Sequence, residues 1–74
     1  MAARELFVEM IRVSSSAIEA VGYDALSMQM KIRFSTGNTY DFCGVPQSVY
    51  EGLLRAASKG RYYNDHIRDR YPCH

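Results

Sequence analysis

The densest group of side chains able to do chemistry lies near the C-terminus, where arginines flank an aromatic residue. Arg61, Tyr62, Arg68 and Arg70 all fall between positions 61 and 70. Guanidinium groups hold phosphates, and an exposed tyrosine ring can stack on an unpaired base. With Tyr62 exposed, the group could therefore bind a nucleic acid that has unpaired bases.

Lys31 and Arg33 could extend that site as a weaker second basic patch. They alternate with apolar residues along one segment, so both point to the same face of a strand. That face has no aromatic residue on which a base could stack. A merely solvated strand face is the favoured interpretation of these two cations.

The aromatic residues allow two interpretations, exposure or core packing. For Tyr40 and Phe42 we favour core packing, because the alternation places both on the sheet face of Ile32. Tyr63, Ile67 and Tyr71 recur at helical spacing and predict a buried stripe. Tyr62 lies off that stripe, so it is the tyrosine expected to be exposed.

Neither catalysis nor metal binding is predicted. Cys43, His66, Cys73 and His74 are zinc-ligand types, but they lack the paired spacing of zinc sites. The sequence also has no glycine-framed nucleophile and no phosphate loop. We expect no catalytic residue, no metal, no cofactor and no enzymatic activity. Cys43 is expected to pack as a small apolar side chain, and Cys73 to lie at a frayed end.

Length and composition fit one small soluble domain. The chain has 74 residues, 47% of them hydrophobic and 23% charged, with a net charge of +1. Without a membrane-span or signal-peptide pattern, the expected location is the cytoplasm and no membrane partner is expected. A core of this size is marginal, and homodimer formation is one remedy. Residues 1–24 carry a net charge of −2 and residues 25–74 a net charge of +3.

The elements that would position these residues are strands first and helices last. A strand is favoured from about Glu9, although a helix also fits the first residues, and a second strand is expected over 17–23. The clearest strand runs over 26–34, and Tyr40 and Phe42 continue the sheet after a turn. Pro46 is placed at the first position of a helix that Gly60 would cap. A second helix is expected over 61–71. The prediction is an α+β fold: an antiparallel sheet of three to four strands, followed by two helices packed on one face.

The turn before Tyr40 can be predicted more closely. Phe34, Tyr40 and Phe42 share one face only if the numbers of paired residues sum to an even number. A three-residue loop, Ser35-Thr36-Gly37, satisfies this condition, whereas a two-residue loop does not. The loop requires a positive φ at Gly37.

A series of short segments resembles the KTSC domain family. The segments are Val13-Ser14-Ser15-Ser16-Ala17-Ile18, Val21-Gly22-Tyr23-Asp24, Phe34-Ser35-Thr36-Gly37, Tyr40-Asp41-Phe42, Val45-Pro46 with Tyr50, Ala57-Ser58-Lys59-Gly60, Tyr63-Asn64 and Ile67-Arg68. The family occurs as a C-terminal extension of some lysyl-tRNA synthetases and as a free-standing bacterial or phage protein. Its central motif is Tyr-x-Tyr, so Phe42 stands here where a second hydroxyl is expected.

The resemblance implies a role in RNA binding and divides the chain into three parts. These are an N-terminal extension or edge strand (1–12), a KTSC-like domain (13–71) and a C-terminal tail (72–74). Asn64 matches the family pattern and could form a small polar site with Ser15 or Ser16. Hydrogen bonds that only tie the serine loop to the second helix are the favoured alternative.

Two hypotheses about function follow. The first, which rests on the resemblance and on the positive charge after residue 25, is a small module that binds tRNA or single-stranded RNA through the basic and aromatic residues named above. The second is a protein-interaction or self-assembly module that docks through an edge strand or through the N-terminal segment with Leu6, Phe7 and Val8.

Overall fold

The computed structural model describes residues 8–73 and contains one sheet followed by two helices. The strands are β1 (Ile11–Arg12), β2 (Ile18–Asp24), β3 (Gln29–Phe34) and β4 (Thr39–Phe42), and the helices are α1 (Gln47–Arg55) and α2 (Lys59–His66). The sheet is antiparallel in the order β1-β2-β3-β4. The predicted α+β fold is confirmed. Within the described part of the chain, neither helix is long and apolar enough to cross a bilayer.

The β3–β4 hairpin has the predicted register. Ile32 pairs with Tyr40 and Met30 pairs with Phe42, so both sums are even. Gly37 has φ +100°, and its N–H donates to the Phe34 carbonyl over 2.8 Å. The hairpin therefore turns through Ser35-Thr36-Gly37, as the shared face of the aromatic residues requires.

The predicted start of the clearest strand is wrong. β3 begins at Gln29, and the residues before it form a turn in which Leu26 is 97% exposed. The Asp24 carboxylate accepts hydrogen bonds from the Ser27 N–H (3.2 Å) and hydroxyl (2.7 Å). Aspartate at the first position stabilises such a turn, which interrupts the apparent alternation. The N-terminal strand is also shorter than expected, because β1 comprises only Ile11–Arg12.

The core lies between one sheet face and the two helices. Val21 from β2, Met30 and Ile32 from β3, and Leu53 from α1 are fully buried there. Ile67, which follows α2, is fully buried as well, as its place in the predicted stripe requires.

The helix boundaries differ from the prediction. Pro46 (ψ 146°) precedes α1 as an extended residue, and Gly60 lies in the first turn of α2 instead of capping α1. The Ser58 hydroxyl caps α2 by accepting from the Arg61 N–H over 3.3 Å. Serine is a favourable N-cap residue, so α2 begins directly after Ser58 and the break between the helices falls before Gly60.

Both expectations for the cysteines are wrong. Cys43, just after β4, forms a disulfide with Cys73, with 5.0 Å between their Cα atoms. The Cys43 N–H also donates to the Tyr71 carbonyl over 3.0 Å. The segment that follows α2 is therefore fixed against the end of β4.

Candidate functional site

A groove of about 380 Å³ lies between β4 and the segment that follows α2. Its lining residues are Tyr40, Asp41, Phe42, Tyr63, Asp69, Tyr71 and Pro72. The disulfide and the Cys43–Tyr71 hydrogen bond hold its two sides together. The groove is therefore built by residues that are distant in sequence.

Aromatic rings form most of the groove wall. Tyr63 packs edge-on against Phe34 and Phe42, with ring centroids 5.0 Å and 6.0 Å away. Tyr40 packs against Phe34 at 5.7 Å and leaves half of its surface exposed. These contacts hold Tyr63 firmly in place and present the ring of Tyr40 to solvent.

Asp69 supplies a carboxylate at the rim of the groove. Its φ is +62°, a left-handed conformation that aspartate tolerates better than most residues. Its side chain is 92% exposed, and the Arg68 Nε lies 3.9 Å from its Oδ2. The carboxylate of Asp41 is on the opposite sheet face, where it accepts from Lys31 Nζ at 2.7 Å. Asp69 is therefore the acidic side chain positioned to act at the groove.

Burial and the neighbouring charges shift the pKa of the Tyr63 hydroxyl. Burial raises the pKa of Tyr63 above its usual value of 10.0, and the charges of Asp69 and Tyr40 raise it further, while Arg68 lowers it. At neutral pH a phenol is neutral and able to donate a hydrogen bond even at its usual pKa, and the raised pKa extends this range to higher pH.

The outer edge of β4 runs beside the groove. Phe34 N–H donates to the Asn38 carbonyl over 2.9 Å, which fixes the alternation of hydrogen-bonded pairs. The backbone groups of Thr39 and Asp41 therefore point away from β3. No partner for them lies among residues 8–73, so the sheet can accept another strand there.

The residues predicted to bind RNA do not form one patch. Lys31 pairs with Asp41, and Arg33 Nε lies 3.2 Å from the Glu19 carboxylate. Each pair puts a carboxylate where a phosphate would approach, so neither cation offers an uncompensated charge.

Tyr62 is not the exposed tyrosine that its position predicts. It is half-buried, and its hydroxyl donates to the Val49 carbonyl over 3.1 Å, which joins α2 to α1. Its ring also contacts His66, with 4.4 Å between centroids. The reason is that α2 packs on α1 as well as on the sheet, so two sides of the helix are covered.

Arg61, Arg68 and Arg70 are exposed, as expected. Arg68 is 3.5 Å from the amide oxygen of Asn64 and also faces Asp69. For Arg61 and Arg70, the described part of the chain contains no ion pair. A role for these arginines in RNA binding stays a prediction.

The three residues of the predicted polar site make only local hydrogen bonds. Ser15 Oγ accepts from the N–H groups of Ala17 (3.1 Å) and Ile18 (3.2 Å). Asn64 contacts Arg68, Ser16 is exposed, and no hydrogen bond within residues 8–73 joins the serines to Asn64. The serine turn therefore begins β2 instead of tying the loop to α2.

Tyr40 and Phe42 share the helix-covered face, as predicted, but with different burial. Phe42 is 8% exposed and packs in the core, whereas Tyr40 is 51% exposed. Core packing is thus correct for Phe42 and wrong for Tyr40, because neither helix extends over Tyr40 at the rim of the groove.

Groups of three or more potential metal ligands are lacking among residues 8–73. His74, one of the residues considered as a ligand, lies outside the described residues, as do Leu6 and Phe7. The absence of a metal therefore stays a prediction.

Sequence reasoning missed Asp69 and Pro72 as parts of a site. The helical spacing of Tyr63, Ile67 and Tyr71 extends the predicted helix past Asp69, although α2 ends at His66. Pro72 indicates only that the helix ends by Tyr71, so the earlier end at His66 has no signal in the sequence.

An antiparallel sheet with two C-terminal helices and an aromatic motif on β4 defines the class, a small α+β domain. The family model for the KTSC domain matches residues 14–71. This chain belongs to the KTSC domain family.

Several relatives support this assignment. A KTSC domain protein from Yersinia pestis has the same fold, with a TM-score of 0.86 and 32% identity over 92% of this chain and 96% of that one. A protein from Tsukamurella paurometabola is 44% identical over 80% of this chain and 88% of its own length. A lysine–tRNA ligase from Nostoc punctiforme is 31% identical over 84% of this chain, which corresponds to only 11% of the ligase.

Proposed function

We propose that this chain is a non-enzymatic module that docks an extended segment of a protein partner along β4. The observation that carries this proposal is the outward-facing backbone of Thr39 and Asp41 beside the aromatic groove. A peptide that pairs with a sheet edge gains main-chain hydrogen bonds, and a neighbouring pocket supplies specificity.

β4 suits this role better than β1, the other edge of the sheet. β1 has only two residues, and the cavity beside it has no aromatic side chain in its lining, which consists of Arg12, Val13, Ser15, Glu19 and Ser35. β4 has four residues and presents both Tyr40 and the groove. An added strand would therefore gain side-chain contacts at β4 that β1 does not provide.

The test removes one outward-facing N–H from each edge. Peptides are selected against the chain from a library of random short peptides, and their binding is then measured to Thr39→Pro and Arg12→Pro. The Val13 N–H donates to the Glu19 carbonyl, so the Arg12 N–H points away from β2 just as the Thr39 N–H points away from β3. Each proline therefore deletes an outward-facing donor and leaves the β ladder intact. We expect binding to be lost in Thr39→Pro and kept in Arg12→Pro. In the unmodified chain, binding should shift the amide NMR signals of Thr39 and Asp41.

The proposal fails if no peptide is enriched, or if selected peptides bind Thr39→Pro as well as they bind the unmodified chain. The docked segment could also belong to a second copy of this chain. Sedimentation velocity distinguishes the two cases, because Thr39→Pro would then convert a dimer to a monomer.

A second function, RNA binding through α2 and the turn after it, is favoured by two observations. Arg61 and Arg70 are exposed without a carboxylate partner among residues 8–73. Regions similar to this chain also occur in lysine–tRNA ligases. Phosphate contacts from such arginines depend strongly on salt.

The RNA proposal is tested by the binding of fluorescent tRNA across a salt series. We expect Arg61→Gln with Arg70→Gln to weaken binding and to reduce the salt slope by roughly one unit per lost contact. Lys31→Gln with Arg33→Gln removes the same charge from paired positions and should change it less. No binding at low salt would eliminate this function.

The proposed location is the cytoplasm, and the disulfide gives a direct test. Reducing compartments keep most thiols free. Alkylation in intact cells should therefore modify Cys43 and Cys73, and the groove would then be held by the Cys43–Tyr71 hydrogen bond and the packing of Tyr63 on Phe42. Protection of both thiols from alkylation would instead place the chain in an oxidising compartment.

A further inference from the structure

We propose that the groove between β4 and the segment after α2 binds an arginine side chain of the docked partner. This inference rests on the proposed docking at β4 and names the chemistry of one residue of the docked segment. It concerns the rings of Tyr40, Tyr63 and Tyr71 together with the carboxylate of Asp69.

Aromatic side chains make up most of the groove wall. Three tyrosines and Phe42 line the groove, and Tyr40 is half-exposed. The faces of aromatic rings carry negative charge density and attract cations placed within about 6 Å. A planar guanidinium stacks on such rings more effectively than a compact ammonium.

The groove also carries a negatively charged side chain. Asp69 is a carboxylate at the rim, and its side chain is 92% exposed, so a ligand can reach it. The groove therefore combines aromatic surface with one negative charge, which complements a cation and opposes a phosphate. Its volume of about 380 Å³ leaves room for one long side chain.

Within the chain, Arg68 competes with a ligand for the Asp69 carboxylate. Arg68 is 3.9 Å from Asp69, and both side chains are largely exposed, so this ion pair is weak. A ligand guanidinium held by rings as well as by the carboxylate can displace it. Removing Arg68 should therefore strengthen ligand binding, which is the opposite of its expected effect on RNA.

The probe is Nα-acetyl-arginine methylamide, titrated while the ring signals of Tyr40, Tyr63 and Tyr71 are followed by NMR. The matched control ligand is the citrulline derivative, which has nearly the same shape without the charge. We expect saturable shifts with arginine and roughly tenfold weaker binding of citrulline. The lysine derivative should bind less tightly than the arginine derivative.

Three variants complete the test. Asp69→Asn keeps a residue that tolerates the left-handed conformation and should weaken arginine binding roughly two- to fivefold. Asp65→Asn changes the net charge equally, away from the groove, and should have no effect. Arg68→Gln should strengthen binding by a factor of up to roughly five.

Equal binding of arginine and citrulline, unsaturable shifts, or equal loss in Asp69→Asn and Asp65→Asn would overturn the proposal. Equal binding of lysine would overturn the assignment to arginine. A free amino-acid derivative needs no pairing with β4, so this result is separate from that of Thr39→Pro. Failure of arginine binding alone would leave the edge-docking function standing.

Discussion

At the scale of single residues, Asp69 is one of two neighbouring charged groups, with Arg68, that act in opposite directions on Tyr63 in the groove. It adopts φ +62° and lies beside Tyr63, whose pKa is raised by burial and then by the charges of Asp69 and Tyr40. Because the negative charge of Asp69 disfavours tyrosinate, its removal lowers the pKa of Tyr63. Arg68 acts in the opposite direction.

We therefore expect Asp69→Asn to lower the pKa of Tyr63 and Arg68→Gln to raise it. The measurement is an NMR titration of the Tyr63 ring carbon that carries the hydroxyl. Asp65→Asn is the control, because Asp65 is not among the charges that shift this group. An unchanged pKa in Asp69→Asn would contradict the assigned position of the carboxylate.

Tyrosine ionisation also predicts how stability depends on pH. Burial raises the pKa values of Tyr23, Tyr50 and Tyr63 above 10.0 in the folded chain. Ionised Tyr23 would also lose its hydrogen bond to the Val45 carbonyl (2.5 Å). Between the unfolded and folded pKa values, the folded state binds more protons, so raising the pH favours unfolding.

The free energy of unfolding should therefore keep this tyrosine contribution below about pH 10 and lose it as the pH rises through the folded values. Urea unfolding at a series of alkaline pH values measures it. Tyr50→Phe removes one of the three groups and should flatten the decline. If the free energy of unfolding does not fall as the pH increases above about 10, burial does not raise the pKa values of these tyrosines.

At the scale of elements, residues 8–10 pack on the second face of the sheet and limit the size of the side chain at position 22 of β2. A Cβ built at Gly22 would lie 2.6 Å from Val8 Cγ1 and 2.8 Å from the Glu9 carbonyl oxygen. Val8 is 8% exposed, so residues 8–10 pack closely on this strand. Gly22 thus permits a close approach that another residue would prevent.

Gly22→Ala should destabilise the chain by about 1–3 kcal/mol, because the added methyl group overpacks this contact. Alanine ordinarily stabilises a strand relative to glycine, so the sign distinguishes overpacking from propensity. Chemical denaturation of the single variants and of Gly22→Ala with Val8→Ala tests it. The double variant should lose less stability than the sum of the two single variants. Additive losses would mean that the two residues do not touch.

The elements also show what the sequence could predict. The β3–β4 register and the positive φ of Gly37 follow from local chemistry, because a period of two leaves few loop lengths that keep Phe34 and Phe42 together. The break between α1 and α2 differs from the prediction, because the serine N-cap at Ser58 competes with the glycine signal at Gly60. The groove could not be predicted, since it depends on a long-range contact between β4 and Tyr71.

At the scale of the whole molecule, the Cys43–Cys73 disulfide joins the sheet to the end of the described chain. It spans 30 positions and encloses both helices. Cross-linking a loop of this length lowers the entropy of the unfolded chain and stabilises the folded state by about 3–4 kcal/mol. For a chain with so small a core, that contribution is comparable to the whole net stability.

Reduction should therefore lower the melting temperature by more than about 10 °C. It should also loosen Tyr71 and Pro72, so that the ring signals of Tyr40 and Tyr63 change even where the fold persists. Thermal melts with and without a phosphine reductant measure the first effect, and NMR measures the second. The control replaces both Cys43 and Cys73 with serine: its melting temperature should match that of the reduced chain and should not respond to the reductant. If the reductant changes neither the melting temperature nor the ring signals of the unmodified chain, the two cysteines are not joined in solution, and the groove is held by the Cys43–Tyr71 hydrogen bond and the packing of Tyr63.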